Sequence, residues 1–506
     1  MRVSEIETKY EAPSGTALPM LAELLEDLPE VTSTTSPEEQ HLDAEYYDTE
    51  DLRLLRTGIT LRRRTGGDDA GWHLKLPSGL HTREEIRLPA AGADVPAELA
   101  EMVQVHTRGE PLRPVARIAT TRRRLILIGE NGRSLAEVAA DDVRSQSLGD
   151  TTTVSQWHEV EVELTGGGRH LLTAADEMLR GDGLRPAVHA AKLERALGRD
   201  GAGLAAAPEL APTSPAVQVV LAYLREQTGR LQALDPLVRR DEPDSIHQMR
   251  VTTRRLRSTL QSFRRVLPRK DTEHLAAELK WLAGLLGEAR DREVLPEHLL
   301  AATRQVPAPN LVGPVRARIQ AHFAPGSAAA RAEVQAALGS ARYFALLDEL
   351  DRLLAVPPPG PEAERPSSEV LPAAVGRSYR RTARRMRRAW HTPPGPRQDA
   401  ALHEARKAVK RTRYAAEAVI PVSGKPARRL ARQMKRVQSV LGEHQDAVIA
   451  GEVARQLGMS AHLAGENAFS YGLLHELESD SRVRLRAQAG KVWRKASRRK
   501  YRDWAR

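Results

Sequence analysis

Acidic side chains alternate along two short stretches near the ends of the first 165 or so residues. These stretches are Glu-Ile-Glu-Thr-Lys at residues 5–9 and Glu-Val-Glu-Val-Glu at residues 159–163. Alternate residues of a β-strand point to the same face, so each stretch would place its charges side by side. Neighbouring carboxylates repel one another unless cations neutralise them. Hard divalent ions such as Mg²⁺ or Mn²⁺ are the expected cations, because they prefer oxygen ligands and often bridge carboxylates and phosphates.

Charged residues with a period of two also occur in the strand-like segments between these stretches. The intervening residues, such as Trp72, Leu74 and Ile86, are apolar enough to pack against helices. We therefore expect charged faces to line the inside of a barrel, although any single strand could carry its charges on a solvated face. Carboxylates could then hold a metal while Lys and Arg hold the oxygens of a polyanion. The charged residues with this spacing are Arg62, Arg64, His73, Lys75, Arg83, Glu85, Arg87, Arg122, Arg124, Glu137 and Asp141.

Residues 1–200 are predicted to consist mainly of short β-strands joined by turns that carry Gly or Asn-Gly. Eight such strands favour an antiparallel β tunnel or barrel, because closure removes exposed strand edges. The expected strands are residues 3–10, 41–48, 59–64, 71–76, 82–88, 121–128, 134–143 and 156–164, with a helix at residues 18–28.

The composition excludes several kinds of site. The 506 residues include no Cys, which excludes disulfides, thiolate catalysis and Cys-ligated zinc. No apolar run approaches the roughly 20 residues that cross a bilayer, so a cytoplasmic protein without a membrane span is expected. Residues 1–200 contain 24 Lys and Arg against 35 Asp and Glu, whereas residues 201–506 contain 53 against 31. This asymmetry predicts different partners for the two parts, although net charge could instead only set solubility.

The ordered motifs of the first part resemble the CYTH domain, also called the triphosphate tunnel metalloenzyme fold. The resemblance rests on Glu5-x-Glu7-x-Lys9, the basic strands, residues 159–163 and the final Lys192-Leu-Glu-Arg195. It implies an eight-stranded tunnel that binds a triphosphate together with Mg²⁺ or Mn²⁺. The activity it implies is metal-dependent hydrolysis of inorganic triphosphate or short-chain polyphosphate. The alternatives are a tunnel that binds polyphosphate without cleaving it and an adenylyl cyclase acting on ATP.

The same resemblance implies three overlapping sets of site residues. The expected metal ligands are Glu5, Glu7, Glu159, Glu161 and Glu163. The residues expected to bind the triphosphate are Arg62, Arg64, Lys75, Arg83, Arg122, Arg124 and Lys192. The residues expected to assist catalysis are Glu5, Glu7, Lys9, Glu85, Glu137 and Asp141.

The second part of the chain contains an internal repeat. Residues 201–215 form a linker of small residues and proline, and a proline-rich segment at 356–368 separates repeats at 216–355 and 369–506. His-Gln-Met-Arg, which begins at residue 247, recurs as His-Glu-Ala-Arg 156 residues later, and a Leu-Gly-Glu motif also recurs. Each repeat is therefore expected to be a four-helix bundle.

Each repeat places a His and several Arg and Lys on one face of a helix. For a single helix, exposure to solvent is the commoner explanation of such a row of basic residues, which we call a basic stripe. Internal symmetry could, however, bring the basic stripes of the two repeats onto one surface. Nucleic acid is an alternative partner. Proteins that bind single-stranded nucleic acid usually provide aromatic side chains that stack on the bases, whereas only Tyr414 lies near the stripes. The repeat resembles the CHAD domain, which implies binding of long-chain inorganic polyphosphate and a cytoplasmic location that includes polyphosphate granules. The implied polyphosphate-binding residues are His247, Arg250, Arg254, Arg255, Arg257, Lys280, His403, Arg406, Lys407, Lys410, Arg411, Arg413 and Lys435.

The overall expectation is an α+β multidomain protein. An eight-stranded antiparallel β tunnel at residues 1–200 is followed by an all-α domain, residues 216–506, built from two four-helix-bundle repeats. The expected partners are inorganic triphosphate for the tunnel and long polyphosphate for the helices.

Overall fold

A computed structural model describes residues 2–13, 16, 18–77, 82–90, 92, 94–149, 151–189, 191–198 and 209–505. The chain forms two compact units, residues 1–207 and residues 208–506. The division between them lies inside the segment that the sequence predicts as a linker. Within the described ranges, no helix has the length and apolar character needed to span a membrane.

The first unit is built around a closed antiparallel β-barrel. Its strands are β1 (Arg2–Glu11), β2 (Ser33–Thr34), β3 (Glu38–Asp48), β4 (Thr60–Thr65), β5 (Gly71–Pro77), β6 (Thr82–Leu88), β7 (Arg113–Ile128), β8 (Ser134–Ser147), β9 (Val154–Leu164) and β10 (Arg185–Pro186). Eight of them follow the order β1, β6, β5, β4, β3, β7, β8, β9, and β9 pairs again with β1. The short strands β2 and β10 pair with β7 and β1. The predicted eight-stranded barrel is therefore confirmed.

Helices cover the outside of the barrel because the outward strand faces are apolar. The helices of this unit are α1 (Leu18–Glu26), α2 (Ala97–Thr107), α3 (Arg169–Gly181) and α4 (Lys192–Ala196). Trp72 and Leu74 of β5 are fully buried in one cluster with Leu99 and Val103 of α2. Burial of each such side chain contributes about 1.5–3 kcal/mol. With the apolar residues outside, the alternating charged residues face the lumen.

Helix α4 fills the barrel at the end where β8 and β9 are joined. Leu193 and Ala196 are 1% exposed and pack in one cluster with Ala44, Val143 and Trp157. These three partners alternate along their strands in phase with the inward-facing residues. The lumen is thus blocked by apolar side chains at the α4 end.

The second unit is entirely helical. Its helices are α5 (Ala216–Arg239), α6 (Ser245–Ser262), α7 (Arg269–Thr303), α8 (Val315–Leu338), α9 (Ala341–Ala355), α10 (Ser367–His391), α11 (Pro396–Ala418), α12 (Ile420–Leu463) and α13 (Phe469–Ala496). The expected all-α domain is confirmed, but the first repeat contains five helices and the second four. The extra helix arises because Gly339 ends α8 and the Ser340 hydroxyl caps α9 by accepting from the Tyr343 backbone N–H.

Candidate functional site

A cavity of about 260 Å³ lies in the lumen of the barrel. All eight barrel strands contribute side chains to its wall, together with the β4–β5 turn and the start of α4. The predicted site residues on this wall are Glu5, Glu7, Lys9, Arg62, Arg64, Lys75, Arg83, Glu85, Arg122, Arg124, Glu137, Glu161, Glu163 and Lys192. The structure therefore brings together side chains from both ends of the predicted domain.

Two of the predicted residues, Asp141 and Glu159, are absent from this wall and contact residues that form it. Asp141 accepts two hydrogen bonds from Arg122, at 2.8 and 2.7 Å, and lies 2.9 Å from Lys192 Nζ. Glu159 lies 2.5 Å from the same ammonium and accepts from Trp157 Nε1 at 2.7 Å. Both carboxylates would therefore act by positioning Arg122 and Lys192.

Three buried carboxylates form a cluster of the size that could hold a cation. Oxygen atoms of Asp141, Glu159 and Glu161 lie within 4.8 Å of one another. The ammonium of Lys192 is 2.5–2.9 Å from all three, so it already supplies the neutralising charge. Burial by itself would raise the pKa of Glu161, but Lys192 and Lys9 lower it well below its usual value. The Lys192 ammonium therefore already provides this cluster with a cation.

A second set of carboxylates is less completely neutralised. Glu7, Glu163 and Glu137 lie directly opposite one another on the adjacent strands β1, β9 and β8. Glu7 is 3.4 Å from Lys9 Nζ and Glu137 is 3.4 Å from Arg124 Nη1, whereas Glu163 forms no hydrogen bond or ion pair with another described residue.

The environment of Glu163 raises the pKa of its carboxyl to about 7, first through burial and then through the neighbouring charge of Glu5. Adjacent carboxylates with incomplete compensation are the donor set that hard divalent cations favour. The row formed by Glu7, Glu163 and Glu137, which we call the carboxylate row, therefore fits Mg²⁺ or Mn²⁺.

Basic side chains occupy the strands across the lumen from the carboxylate row. Lys75 Nζ is 2.6 Å from Glu5 and 3.8 Å from Glu85, and Arg62 donates to Tyr46 Oη at 3.2 Å. Burial, followed by the charge of Arg62, lowers the pKa of Arg64 to about 9. These cations are held at fixed positions by carboxylates or hydroxyls and are available to an anion in the cavity.

The register of β7 decides which arginines of its Arg-Arg-Arg sequence face inwards. Arg122 contacts Asp141 and Glu161 in the lumen, and Arg124 lines the same cavity. Arg123 points to the other face, where it lies 3.1 Å from Asp142. The inward pair is thus Arg122 and Arg124.

Several residues of the wall were not assigned a role from the sequence. They are Gln40, Tyr46, Thr60, Asp68, Asp69, Arg87, Thr120 and Thr165. Tyr46 could have been found, because residues 40, 42, 44 and 46 alternate towards the lumen. Asp68 and Asp69 lie in a turn, where strand alternation gives no direction.

The helical unit brings the two predicted basic stripes together. Helix α6 packs against α11, where Arg255 Nη2 lies 3.4 Å from Glu417 and Arg411 donates to Gln261. In each repeat, an arginine of the stripe also packs against a glycine of the next helix with which it is in contact, α7 in the first repeat and α12 in the second. A Cβ on Gly287 would lie 3.3 Å from the Arg250 guanidinium. At the equivalent position of the second repeat, a Cβ on Gly442 would lie 3.1 Å from Arg406.

Lys410 lies among the arginines of both stripes. Burial, followed by the charges of Arg254 and Arg406 and then of Arg250, lowers the pKa of Lys410 to about 6. The carboxylate of Asp446 has the opposite but weaker effect. We call Arg250, Arg254, Arg406 and Lys410 the central cationic cluster, and it combines residues 156 positions apart that the internal repeat relates.

The remaining stripe residues lie around this cluster or away from it. Arg413 is 2.7 Å from Glu417, whereas exposed Lys407 is 2.7 Å from Glu404. Lys280 lines a shallow groove with Arg257, and Lys435 is exposed on α12.

The two histidines of the stripes are only partly exposed, and burial lowers the pKa of both. His403 lines a separate cavity of about 560 Å³ with Gln445 and His475 of α12 and α13.

Comparison with known proteins agrees with the two predicted domains. A CYTH domain model matches residues 4–184 and a CHAD domain model matches residues 222–455. The proteins MT2285 and Rv2226, from two strains of Mycobacterium tuberculosis, are each 38% identical over 523 residues, 99% of this chain and 98% of the relative.

Solved structures give weaker matches. PptA from Streptomyces chartreusis is 24% identical, with a TM-score of 0.47, over 56% of this chain and 100% of its own. HpAC1 from Hippeastrum, for which a dominant triphosphatase activity is stated, is 18% identical, with a TM-score of 0.25, over 38% of this chain and 96% of its own.

The CYTH match supports a triphosphate-tunnel role for the first unit, and CYTH domains are metal-dependent. The M. tuberculosis relatives align with nearly the whole chain, so the similarity includes both units. The chain therefore belongs to the family of proteins that join a CYTH domain to a CHAD domain.

Proposed function

We propose that the barrel hydrolyses inorganic triphosphate or short-chain polyphosphate with Mg²⁺ or Mn²⁺, and that the helical unit binds long polyphosphate. The observation that carries the first part is the carboxylate row facing fixed Lys and Arg side chains in the lumen of a closed barrel. A linear phosphate chain needs this combination of metal ligands and cationic oxygen ligands.

The charge balance of the lumen supports a metal-bound substrate. Among the residues that the structure describes, the cavity wall contains nine Lys and Arg side chains and eight Asp and Glu side chains. A nearly neutral wall offers little net attraction to a bare polyanion, because most of its cations already face carboxylates. An anion that enters with divalent cations brings less charge, and the ions can neutralise the carboxylate row. We therefore expect substrate and metal to bind together.

The roles of the side chains follow from their positions. Glu7, Glu163 and Glu137 would hold the metal, with Glu5 and Glu161 beside them. When bound, the ion neutralises phosphate charge and lowers the pKa of a coordinated water. The side chains that would bind the oxygens of a triphosphate are Lys9, Arg62, Lys75, Arg83, Arg122 and Lys192, whereas Arg64 and Arg124 would bind phosphates of a longer chain. The apolar residues of α4 would exclude water from the closed end, which strengthens these electrostatic contacts.

The lining favours a phosphate chain over a nucleotide. Among the described residues of the wall, Tyr46 is the only aromatic, and it is bonded to Arg62. A purine would need an apolar or aromatic surface that this polar wall does not offer. Adenylyl cyclase activity is therefore the weaker candidate, and a tunnel that binds without cleaving differs from the proposal only in turnover.

Phosphate release from a substrate panel tests the tunnel proposal. We expect Mg²⁺- or Mn²⁺-dependent release from inorganic triphosphate to exceed that from long polyphosphate, ATP and thiamine triphosphate. Chelation of the metal should abolish release, because the carboxylate row would then repel the substrate. A rate that is unaffected by the chelator, or no release with either ion, would contradict the proposal. Formation of cyclic AMP from ATP would support the cyclase alternative.

Binding of polyphosphate by the helical unit is supported by the central cationic cluster. The cluster offers Arg and Lys side chains without stacking aromatics, which suits a polyanion that has no bases. Tyr414 is 1% exposed and lies below the guanidinium groups of Arg255 and Arg413, so it is not available to stack on a nucleobase. We therefore favour polyphosphate over single-stranded nucleic acid.

The low pKa of Lys410 predicts a pH dependence of this binding. Lys410 is mostly neutral above pH 6 in the free protein, whereas a bound anion favours its charged form. Affinity for long polyphosphate should therefore rise about tenfold as the pH falls from 7.5 to 6. Titration calorimetry at both pH values measures this change. The Lys410→Met protein should lose most of it, and an equally steep dependence in that variant would contradict the assignment.

A further inference from the structure

The turn between β4 and β5 carries two carboxylates to the open end of the lumen. This turn, residues 66–70, lies at the barrel end opposite α4 and contributes Asp68 and Asp69 to the cavity wall. All other Asp and Glu side chains described on that wall belong to the barrel strands. We call residues 66–70 the acidic turn.

Both carboxylates of the acidic turn bind arginines that also face the cavity. Asp69 contacts Arg64 and lies 3.2 Å from Arg87 Nη1. Asp68 lies 2.5 Å from Arg124 Nη2. We call Arg64, Arg87 and Arg124 the mouth arginines. They come from three different strands, so the acidic turn joins side chains from several parts of the rim.

The backbone of the acidic turn is held in one conformation. Gly66 has φ +78°, and a Cβ there would lie 2.0 Å from the carbonyl oxygen of His41, so only glycine fits. At the other end, His73 Nε2 lies 2.8 Å from the carbonyl oxygen of Asp69. His73 is 1% exposed, and its Nδ1 lies 2.9 Å from Glu85. The turn is thus attached to the buried network of the lumen.

A carboxylate and a phosphate oxygen compete for the same guanidinium donors. Arg pairs with either anion through similar charge-assisted hydrogen bonds. Arg87 also contacts Glu85 and Glu5, and Arg124 also contacts Glu38 and Glu137. With the acidic turn in place, a phosphate gains the guanidinium donors that face Asp68 and Asp69 only by displacing these two carboxylates. The α4 end is already closed by apolar residues, so a longer chain has to extend towards the mouth.

We propose that Asp68 and Asp69 set the chain-length specificity of the tunnel by occupying the mouth arginines as internal anions. This inference rests on the proposed function of the lumen. A triphosphate held within the cavity of about 260 Å³ leaves Asp68 and Asp69 paired with the mouth arginines, whereas a longer chain must displace their carboxylates from these arginines. The turn therefore disfavours long polyphosphate relative to triphosphate.

Neutral replacement of the two carboxylates tests this proposal. In the Asp68→Asn/Asp69→Asn protein, the ratio of kcat/KM for long polyphosphate to kcat/KM for triphosphate should rise about tenfold. The Asp68→Glu/Asp69→Glu protein keeps the charge and should retain the original ratio. Asp27→Asn/Asp182→Asn removes two exposed carboxylates of the same unit and should also leave the ratio unchanged. An unchanged ratio in the Asn protein would overturn the proposal.

Two further measurements apply if the double Asn variant does not fold or if no phosphate is released. If the double Asn protein does not fold, Asp68→Asn alone replaces it, because the Asp68 side chain is 74% exposed and its removal should be tolerated. If neither the unaltered protein nor any variant releases phosphate, the proposed hydrolysis is wrong. Calorimetry with long polyphosphate then tests whether Asp68 and Asp69 compete with the chain for the mouth arginines. In that test Arg254→Gln/Arg406→Gln removes binding by the helices from every protein compared. Tighter binding by the Asn protein supports the inference, and equal binding overturns it.

Discussion

A protein that carries Glu7→Gln and Glu163→Gln should release phosphate from inorganic triphosphate at least about 100-fold more slowly than the unaltered chain. The two substitutions keep the shape of the carboxylate row but replace two of its three carboxyl groups with neutral amides. The divalent ion would lose charged ligands, and the phosphate chain would lose the neutralisation that the ion supplies. A malachite green assay with saturating Mg²⁺ or Mn²⁺ measures the effect.

The unfolding temperature shows whether a lower rate results from the loss of metal ligands or from unfolding of the barrel. Glu163 has no partner among the described residues and its pKa is raised to about 7, so a neutral amide should relieve repulsion. We therefore expect Glu163→Gln by itself to leave the unfolding temperature at least as high as that of the unaltered protein, whereas Glu7→Gln also removes the ion pair with Lys9. Glu23→Gln/Glu101→Gln, at exposed positions on α1 and α2, is the matched control and should retain full activity. Equal rates in all three proteins would exclude a role for the carboxylate row.

Replacing Lys192 with methionine should destabilise the barrel by about 3–5 kcal/mol at pH 7, because it removes the cation paired with Glu159 and leaves Asp141 and Glu161 with fewer cations. The Lys192 ammonium lies within 2.9 Å of Asp141, Glu159 and Glu161; the three carboxylates are buried, and the Lys192 side chain is 9% exposed. Urea unfolding, monitored by hydrogen exchange in β8 and β9, measures the change in the free energy of unfolding of this unit. Arg117→Met removes an ion pair with Glu45 whose arginine is 66% exposed, and it should alter stability by less than about 1 kcal/mol.

The pH dependence of the Lys192→Met protein gives a second check. In the unaltered chain the pKa values of Asp141 and Glu161 are lowered, so their stabilising effect is present at neutral pH and is lost in acid. Without the ammonium, the carboxyls lose a cation that lowers their pKa values, and protonation relieves their repulsion. The difference in stability between the two proteins should therefore shrink as the pH falls towards about 4. A difference that stays constant across this range would contradict the buried charge cluster.

Much of the barrel is encoded in local patterns that can be read along the chain. Apolar residues such as Trp72 and Leu74 alternate with charged neighbours, and a period of two requires that they lie on opposite faces of a strand. The repeat of His247 and Arg250 at His403 and Arg406 similarly indicates two related helical segments. These signals depend only on spacing, so they need no knowledge of distant contacts.

Other features depend on side chains that approach from remote positions. Lys192 joins three carboxylates of β8 and β9, and only the fold shows that its ammonium lies among them. Asp68 and Asp69 lie in a turn that has no strand period, so only the fold shows that they face the mouth arginines. The pKa of Lys410 depends on arginines from both repeats.

By itself, the sequence determined the alternation of the strands, the barrel class, the helical repeat and the residue types available for chemistry. Only the tertiary structure decided which charges neutralise one another, which end of the lumen is closed and which carboxylates still lack a cation. The physical reason is that strand and helix periodicity are properties of neighbouring residues. Electrostatic compensation instead falls off with distance between atoms, and the fold sets those distances.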